Sequence, residues 1–344
     1  MEETGELLPV QPGGNDARPR SPGVQIVIGY RLNLIYVTFL EWVRREGAMV
    51  LLLTAANGNQ GKLLLPRLLK AGFTVRACTR SEDSAAVIRA LGVSDVVVGD
   101  IAEPDVLERA IDGVGQVYHI GPSAHPRERE MGFRMVDAAR RAGVRHFVFS
   151  SVLHAITTNL VQHEIKRDIE EHLLSSGLEF TILQPTNYMV PWRFLPAFRE
   201  GVFRLFWSLD RLQSMVDLGD IADVALLVLR EGERHYGATY ELCSEGRFTA
   251  HDIGSVISRV TGQPIRVEEI NSEDYRRGLF GDGDRSRFAH QDRVLKSISD
   301  RYSSHDFIGN PNVLTWLLGR PPTTLEEFIR ASYASYQATQ HPQS

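Results

Sequence analysis

Residues 48–80 read AMVLLLTAANGNQGKLLLPRLLKAGFTVRACTR, and three patterns succeed one another within them. The apolar run Val50 to Leu53 is too short for a buried helix and stops at small and polar residues, which marks a strand leaving a core. Beyond Asn59, the residues Leu63, Leu64, Leu68 and Leu69 recur at the spacing that lines one face of a helix. Pro66 removes a backbone donor inside that helix, so a kink is expected there. A second strand is expected over Phe73 to Cys78. Strand, tight turn, helix and strand in so short a stretch form a βαβ unit.

The same rhythm continues outward. Helices are expected over Asp83 to Leu91, Pro104 to Ile111, Arg129 to Arg141 and Gln162 to Ser175, with strands over Val96 to Val98, Gln116 to Ile120, Arg145 to Phe149 and Phe180 to Leu183. This alternation predicts an α/β chain built on a doubly wound parallel sheet. After Pro185 the rhythm loosens and aromatic residues gather between Tyr188 and Trp207. The chain returns through Asp220 to Leu229, read as an Asp-capped helix, then a strand over Tyr240 to Cys243 and a helix over Thr249 to Thr261. The expected division is a tail or unusual extension over 1–48, a sheet domain over 49–185 and 215–243, a smaller discontinuous C-terminal α/β lobe over 186–214 and 244–335, and a tail over 336–344.

At 344 residues, with 43% hydrophobic and 24% charged side chains, the chain is long enough for one large α/β domain or two intimate lobes. Its 38 basic and 43 acidic residues leave a formal charge of -5, which argues against a polyanion such as nucleic acid as the main partner. Cys78 and Cys243 lie in strand-like apolar runs and read as reduced core residues, with Cys243 also open to a place in a pocket wall. No metal site is expected: His119 and His125 lack a third ligand, Glu128 and Glu130 beside them are as readily exposed, and Asp282 and Asp284 lack the rest of a calcium loop.

Residues 1–23 show no apolar period and read as a polar tail. Segment 24–43, VQIVIGYRLNLIYVTFLEWV, is more apolar, but Gln25, Arg31, Asn33 and Glu41 interrupt it, so a membrane span is not expected. The acidic start lacks a secretion pattern, and a cytoplasmic setting is the expectation. Packing on the main domain, dimer formation and an extension without a catalytic role all stay open for this segment.

Ala55, Gly58 and Gly61 follow the first strand at the spacing of a loop that turns straight into a helix. Small residues let the backbone approach a pyrophosphate, and the free amides and partial positive charge of a helix start stabilise it. Thr54, Ala55, Asn57, Gly58, Asn59, Gln60 and Gly61 are therefore expected to hold a dinucleotide. The methyl of Ala55 departs from the usual glycine and tightens or reshapes the first turn. Where the second strand ends, an NAD-selective site carries an acid for the ribose hydroxyls, but this chain has Cys78-Thr79-Arg80. Arg80, with Arg76 as a helper, instead suits an additional ribose phosphate, so NADP(H) is expected over NAD(H). Asp100 either accepts a hydrogen bond from the adenine or caps its own loop. Gly121, at the end of the fourth strand, is placed beside the nicotinamide, and His119 either joins it or packs.

The chain resembles the NmrA-like family of atypical short-chain dehydrogenases/reductases over approximately Met49 to Arg330. The resemblance rests on LTAANGNQG (53–61), VRACTR (75–80), FSSVLH (149–154) and TILQPTNYM (181–189), with GNPNVLTWLLGR (309–320) similar to the C-terminal region. It implies an NAD(P)-binding Rossmann fold with a smaller C-terminal lobe. The family holds reductases of small or aromatic molecules and also noncatalytic proteins that sense nicotinamide cofactors or contact transcriptional regulators.

The usual Tyr-x-x-x-Lys of short-chain dehydrogenases becomes Gln162-His163-Glu164-Ile165-Lys166 here. Lys166 is retained and is expected to bind the nicotinamide ribose, whereas the amide of Gln162 is no substitute for a phenolic proton donor. Ser151, His154 and His163 are the remaining candidates for orienting the substrate or moving a proton. Tyr188 and Trp192 are expected in the substrate pocket. The function expected is NADPH-dependent hydride transfer to a small apolar or aromatic electrophile such as a quinone, enone or carbonyl compound. The alternative is a catalytically inactive NADP(H)-responsive regulatory or scaffold protein with a protein partner; a homodimer stays open in either case.

Overall fold

The structure is a computed structural model that describes residues 49–340. The extension over 1–48, with its apolar segment 24–43, lies outside the described residues, as do 341–344.

In chain order the elements are β1 (Val50–Leu53), α1 (Gly61–Lys70), β2 (Thr74–Thr79), α2 (Glu82–Ala90), β3 (Asp95–Val98), α3 (Pro104–Ile111), β4 (Val114–Ile120), α4 (Glu128–Arg141), β5 (His146–Ser150), α5 (Val161–Leu174) and β6 (Phe180–Pro185). Then come β7 (Asn187–Met189), α6 (Pro191–Glu200), β8 (Val202–Leu205), β9 (Met215–Asp217), α7 (Leu218–Glu231), β10 (Ala238–Leu242), α8 (Ala250–Thr261), β11 (Arg266–Glu269), α9 (Ser272–Phe280), α10 (Ala289–Ser304), α11 (Asn312–Leu318) and α12 (Leu325–Gln340). Seven strands form one sheet in the order β10-β6-β5-β4-β1-β2-β3, all paired parallel. This is the doubly wound sheet expected from the alternation, with the order reversing beside β1.

Strand alternation explains how both faces are covered. Leu51 and Leu53 point with Val75, Tyr118 and Val148 into a cluster completed by Leu64, Leu65 and Leu68 of α1 and Ile221, Ala225 and Val228 of α7. Leu52 points the other way, with Val117, Phe147 and Phe149, onto Leu107 of α3, Met135 of α4 and Ile169 of α5. Because successive strand side chains alternate faces, four consecutive apolar residues in β1 serve two cores. Helix α1 is continuous through Pro66. Cys78 and Cys243 are both free and buried.

A third cluster lies beyond Pro185: Met189, Phe194, Phe198, Phe203, Trp207, Ile257, Tyr302 and Ile329 pack together. Two small parallel pairs, β8 with β11 and β7 with β9, brace it. Residues 336–340 continue α12 rather than forming the tail expected there. The helix read as starting at Asp220 starts at Leu218, because Asp217 is its cap and accepts from the backbone N–H of Gly219 and Asp220.

Candidate functional site

A cavity of about 560 Å³ lies at the carboxyl ends of β1, β2 and β3, and Thr54, Ala55, Asn57, Gly58, Arg80 and Asp100 contribute to its wall. This is the crevice where a doubly wound sheet binds ligands. Its floor is the loop after β1. Ala55 sits at φ 48°, a left-handed conformation that costs a residue with a side chain about 1–2 kcal/mol, and its carbonyl accepts the Gly58 N–H at 2.8 Å. Gly61 has no room for a side chain: a Cβ would lie 2.4 Å from the Ala55 carbonyl oxygen and 2.6 Å from that of Ala56. Helix α1 therefore starts directly against the loop. It has no side-chain cap and no acid in its first turn; the Lys62 and Leu63 N–H groups donate to the carbonyls of Gly58 and Gln60, so what the helix start offers an anion is chiefly its dipole.

Other loop residues hold the floor in place. The Thr54 hydroxyl accepts the Ile120 N–H at 2.7 Å, clamping β1 to β4. Asn57 donates to the Ser84 hydroxyl at 2.9 Å. Gln60 faces inward as a strut: its Nε2 donates to Tyr188 at 2.7 Å and Ser150 at 2.9 Å, and its Oε1 accepts from Tyr118 at 3.0 Å. Neither Gln60 nor Gly61 lines the cavity.

Arg80 is exposed at the cavity edge, and among the described residues its guanidinium meets no carboxylate. Arg76 does not help it. Its Nε pairs with Asp95 at 2.9 Å, and its Nη1 donates to the carbonyls of Arg109 and Ala110 at the end of α3, where helix carbonyls lack partners. Asp100 caps its own loop, with Oδ1 accepting the Ala102 N–H at 2.9 Å, and it lines the cavity. Ser81 and Ser84 also line it, a contribution the sequence reading missed; Ser81 caps α2, which is the signal that would have found it.

A second cavity, of about 410 Å³, includes Asn59, Ser151, Gln162, His163, Lys166 and Tyr188 in its wall. Loop residues Gly58 and Pro122 face the first cavity and their neighbours Asn59 and Ser123 the second, so the two share these loops. Lys166 is buried and its Nζ lies 2.9 Å from the Glu128 carboxylate, itself wholly buried. The sequence offered no signal for this partner: it left Glu128 as readily exposed as not, and in the fold the side chain turns inward. A Cβ on Gly121 would fall 2.9 Å from Glu128 Oε1 and 3.0 Å from Lys166 Nζ. A side chain there would push the tips of the Glu128–Lys166 pair aside, and Gly121 lines neither cavity. His119 is buried behind it, and burial pushes its pKa down to about 3.

Of the three proton-transfer candidates, Ser151 and His163 line this cavity and His154 does not. Ser151 lines the second cavity and donates a short hydrogen bond to Glu170, whose carboxyl burial pushes up and which also accepts from Gln184 at 2.8 Å. Glu170 was missed, although its position one helical turn after Lys166 places both on the same face of α5. His163 lines the cavity, its Nδ1 lies 3.0 Å from the His154 carbonyl oxygen, and burial pushes its pKa down to about 4. His154 has φ 55° and lies 3.9 Å from Glu241, lining neither cavity. Tyr188 is half-buried, with its phenol pushed up to about 12 by burial. Trp192 is 59% exposed at the rim. The wall continues through Arg193, Phe206, Trp207, Tyr275 and Tyr302, of which Arg193, Tyr275 and Tyr302 were missed.

Sheet order, glycine turn and crevice together define a Rossmann-type dinucleotide-binding protein. The chain belongs to the NmrA-like family, whose family model matches residues 48–329. It is similar to the NAD(P)H azoreductase of Xenophilus azovorans, 27% identical over 301 residues that cover 84% of this chain and 100% of that protein. It is also similar to quinone oxidoreductase 2 of Escherichia coli, 25% identical over 284 residues, 80% of this chain and 96% of that one. Among solved structures, triphenylmethane reductase of Citrobacter sp. complexed with NADP(H) shares the fold with a TM-score of 0.70 at 22% identity, covering 82% of this chain and 99% of that chain.

Proposed function

We propose that this protein is an NADPH-dependent oxidoreductase that reduces small aromatic electrophiles, with quinones and azo compounds as the leading substrates. The observation that carries this reading is the pair of adjoining cavities, one floored by the loop after β1 with Arg80 at its edge, the other walled by aromatic side chains. Similarity to an azoreductase and a quinone oxidoreductase over most of the chain supports it.

The residues fit a bound dinucleotide. The loop from Thr54 to Gly58 and the start of α1 would hold its pyrophosphate, and Arg80 an adenosine-side phosphate, which favours NADP(H) over NAD(H). When bound, NADPH supplies the hydride. Lys166, fixed by Glu128, would reach the nicotinamide ribose without being a proton donor. Ser151 would orient a substrate oxygen or nitrogen, itself held by the Glu170 carboxyl that accepts its hydrogen bond. His163 is neutral near pH 7 and is not the proton donor. The two free, buried cysteines support a reducing, cytoplasmic setting.

The test is NADPH oxidation with a quinone, an azo dye and an enone, with product analysis. NADPH bound stoichiometrically but no reduced product from any of them would sink the reading. Gln162 at the position of the usual tyrosine favours a second reading, a cofactor-responsive regulatory protein. Partner capture that differs between NADPH and NADP⁺ would support that one.

A further inference from the structure

We infer that the second cavity is built for an aromatic substrate that carries an acidic oxyanion group, a carboxylate or sulfonate, and that Arg193 is the residue that holds it. The inference rests on reading this cavity as the substrate site and narrows the class of substrate it takes.

Among the described residues the cavity wall contains two permanent cations, Lys166 and Arg193, and no carboxylate. The charge of Lys166 is already matched by Glu128 at 2.9 Å. Arg193 makes no ion pair and no side-chain hydrogen bond to any described residue. The contrast within the same protein is direct: Arg276, which is buried where Arg193 is half-buried, is met by Glu273 at 2.6 Å and Asp292 at 2.8 Å. A half-buried arginine in an apolar wall, left without a counter-charge, favours a ligand that supplies one.

Three further features point the same way. The guanidinium lies 6.0 Å from the Trp207 ring centre and 5.9 Å from that of Trp192, contacts that steady a cation but leave its N–H donors unused. Arg193 stands in the first turn of α6, which contains no acid, so the positive end of the helix adds to its charge rather than offsetting it. Burial depresses the Arg193 pKa, and the nearest opposing groups are the phenols of Tyr302 and Tyr275. Burial keeps the Tyr302 phenol protonated and neutral. Around this single uncompensated charge the walls are flat and apolar, with Phe206 stacked on Tyr275 at 4.1 Å and Trp207 edge-on to Tyr302 at 5.4 Å. A planar ring fits such walls, and a guanidinium fork matches an oxyanion bidentately.

The experiment uses two probes of one shape, 2-naphthoate and its neutral amide 2-naphthamide, titrated calorimetrically into the full chain with and without NADP⁺. The expected result is at least tenfold tighter binding of 2-naphthoate. Arg193→Gln should weaken 2-naphthoate at least tenfold more than 2-naphthamide, and Arg193→Lys should keep part of the preference. Equal affinity of the wild-type protein for the two probes overturns the inference, and so does a preference that survives in Arg193→Gln. Quinone-dependent NADPH oxidation is measured on the same samples. Its absence, together with that of azo dye and enone reduction, alongside a clear naphthoate preference would defeat the reductase reading and leave the anion subsite standing.

Discussion

In the proposed nucleotide crevice Arg80 supplies a charge at the edge and Gly61 the space behind the loop. If Arg80 binds a ribose phosphate through charge-assisted hydrogen bonds worth about 1.5–3 kcal/mol, Arg80→Ala should weaken NADP(H) about tenfold to a hundredfold and leave NAD(H) nearly unchanged. Fluorescence titration with both cofactors checks this, and an equal loss for the two would mean that Arg80 acts on the loop as a whole. Gly61→Ala should cost about 1–3 kcal/mol, the range for forcing atoms into a packed site, because the obstructing groups are backbone carbonyls that cannot swing away. Urea unfolding measures that loss, and NADPH affinity should fall with it. Both residues were legible in the sequence, since a glycine before a helix and a cation after a strand carry their meaning locally. Arg76 was not: the same residue type in the same strand is drawn to the end of α3 by carbonyls that only the fold brings near.

Helix α7 shows what is readable at the scale of an element. Its apolar period marked a helix, and an aspartate at its start marked a cap, but three residues separate the true cap, Asp217, from the one expected. Asp220 has another task. It is 1% exposed, pairs with Arg320 at 2.7 Å and accepts the Thr323 N–H at 2.7 Å, fastening the segment before α12 to the sheet domain. Asp217→Ala should therefore cost about 1 kcal/mol, the usual loss of a cap, and Asp220→Ala about 2–3 kcal/mol, because charge-assisted bonds are lost and buried donors are left unpaired. Chemical denaturation of the two variants checks the order, and a larger loss for Asp217→Ala would reverse these assignments. The short strands β7, β8, β9 and β11 were not legible, because three or four residues hold too little pattern and their pairing partners lie far along the chain.

Across the whole molecule, buried histidines tie stability to pH. Burial is the largest cause of the depressed pKa of His119, to about 3, and of His146 and His163, each to about 4. The unfolded chain takes up these protons below about pH 6.5 while the folded chain does not. Their stabilising effect is therefore full above pH 6.5 and is lost as pH falls toward 4, at about 1.4 kcal/mol per pH unit for each histidine that stays neutral. Glu170 and Asp217, whose carboxyls burial pushes up, act in the opposite sense starting from the ordinary carboxylate range. Urea midpoints that fall steadily between pH 7 and 5 are expected, and a flat profile would show that these side chains are not buried neutral. From the sequence by itself came the βαβ order, the faces of the sheet, the nucleotide loop and the family, because strand and helix periods and tight turns are properties of neighbouring residues. Only the tertiary structure decided that Glu128 neutralises Lys166, that Glu170 stands behind Ser151, and that Arg193 faces an aromatic cavity without a counter-charge. Those pairings depend on which distant segments meet after folding, and desolvation then sets what each charge costs and what it can bind.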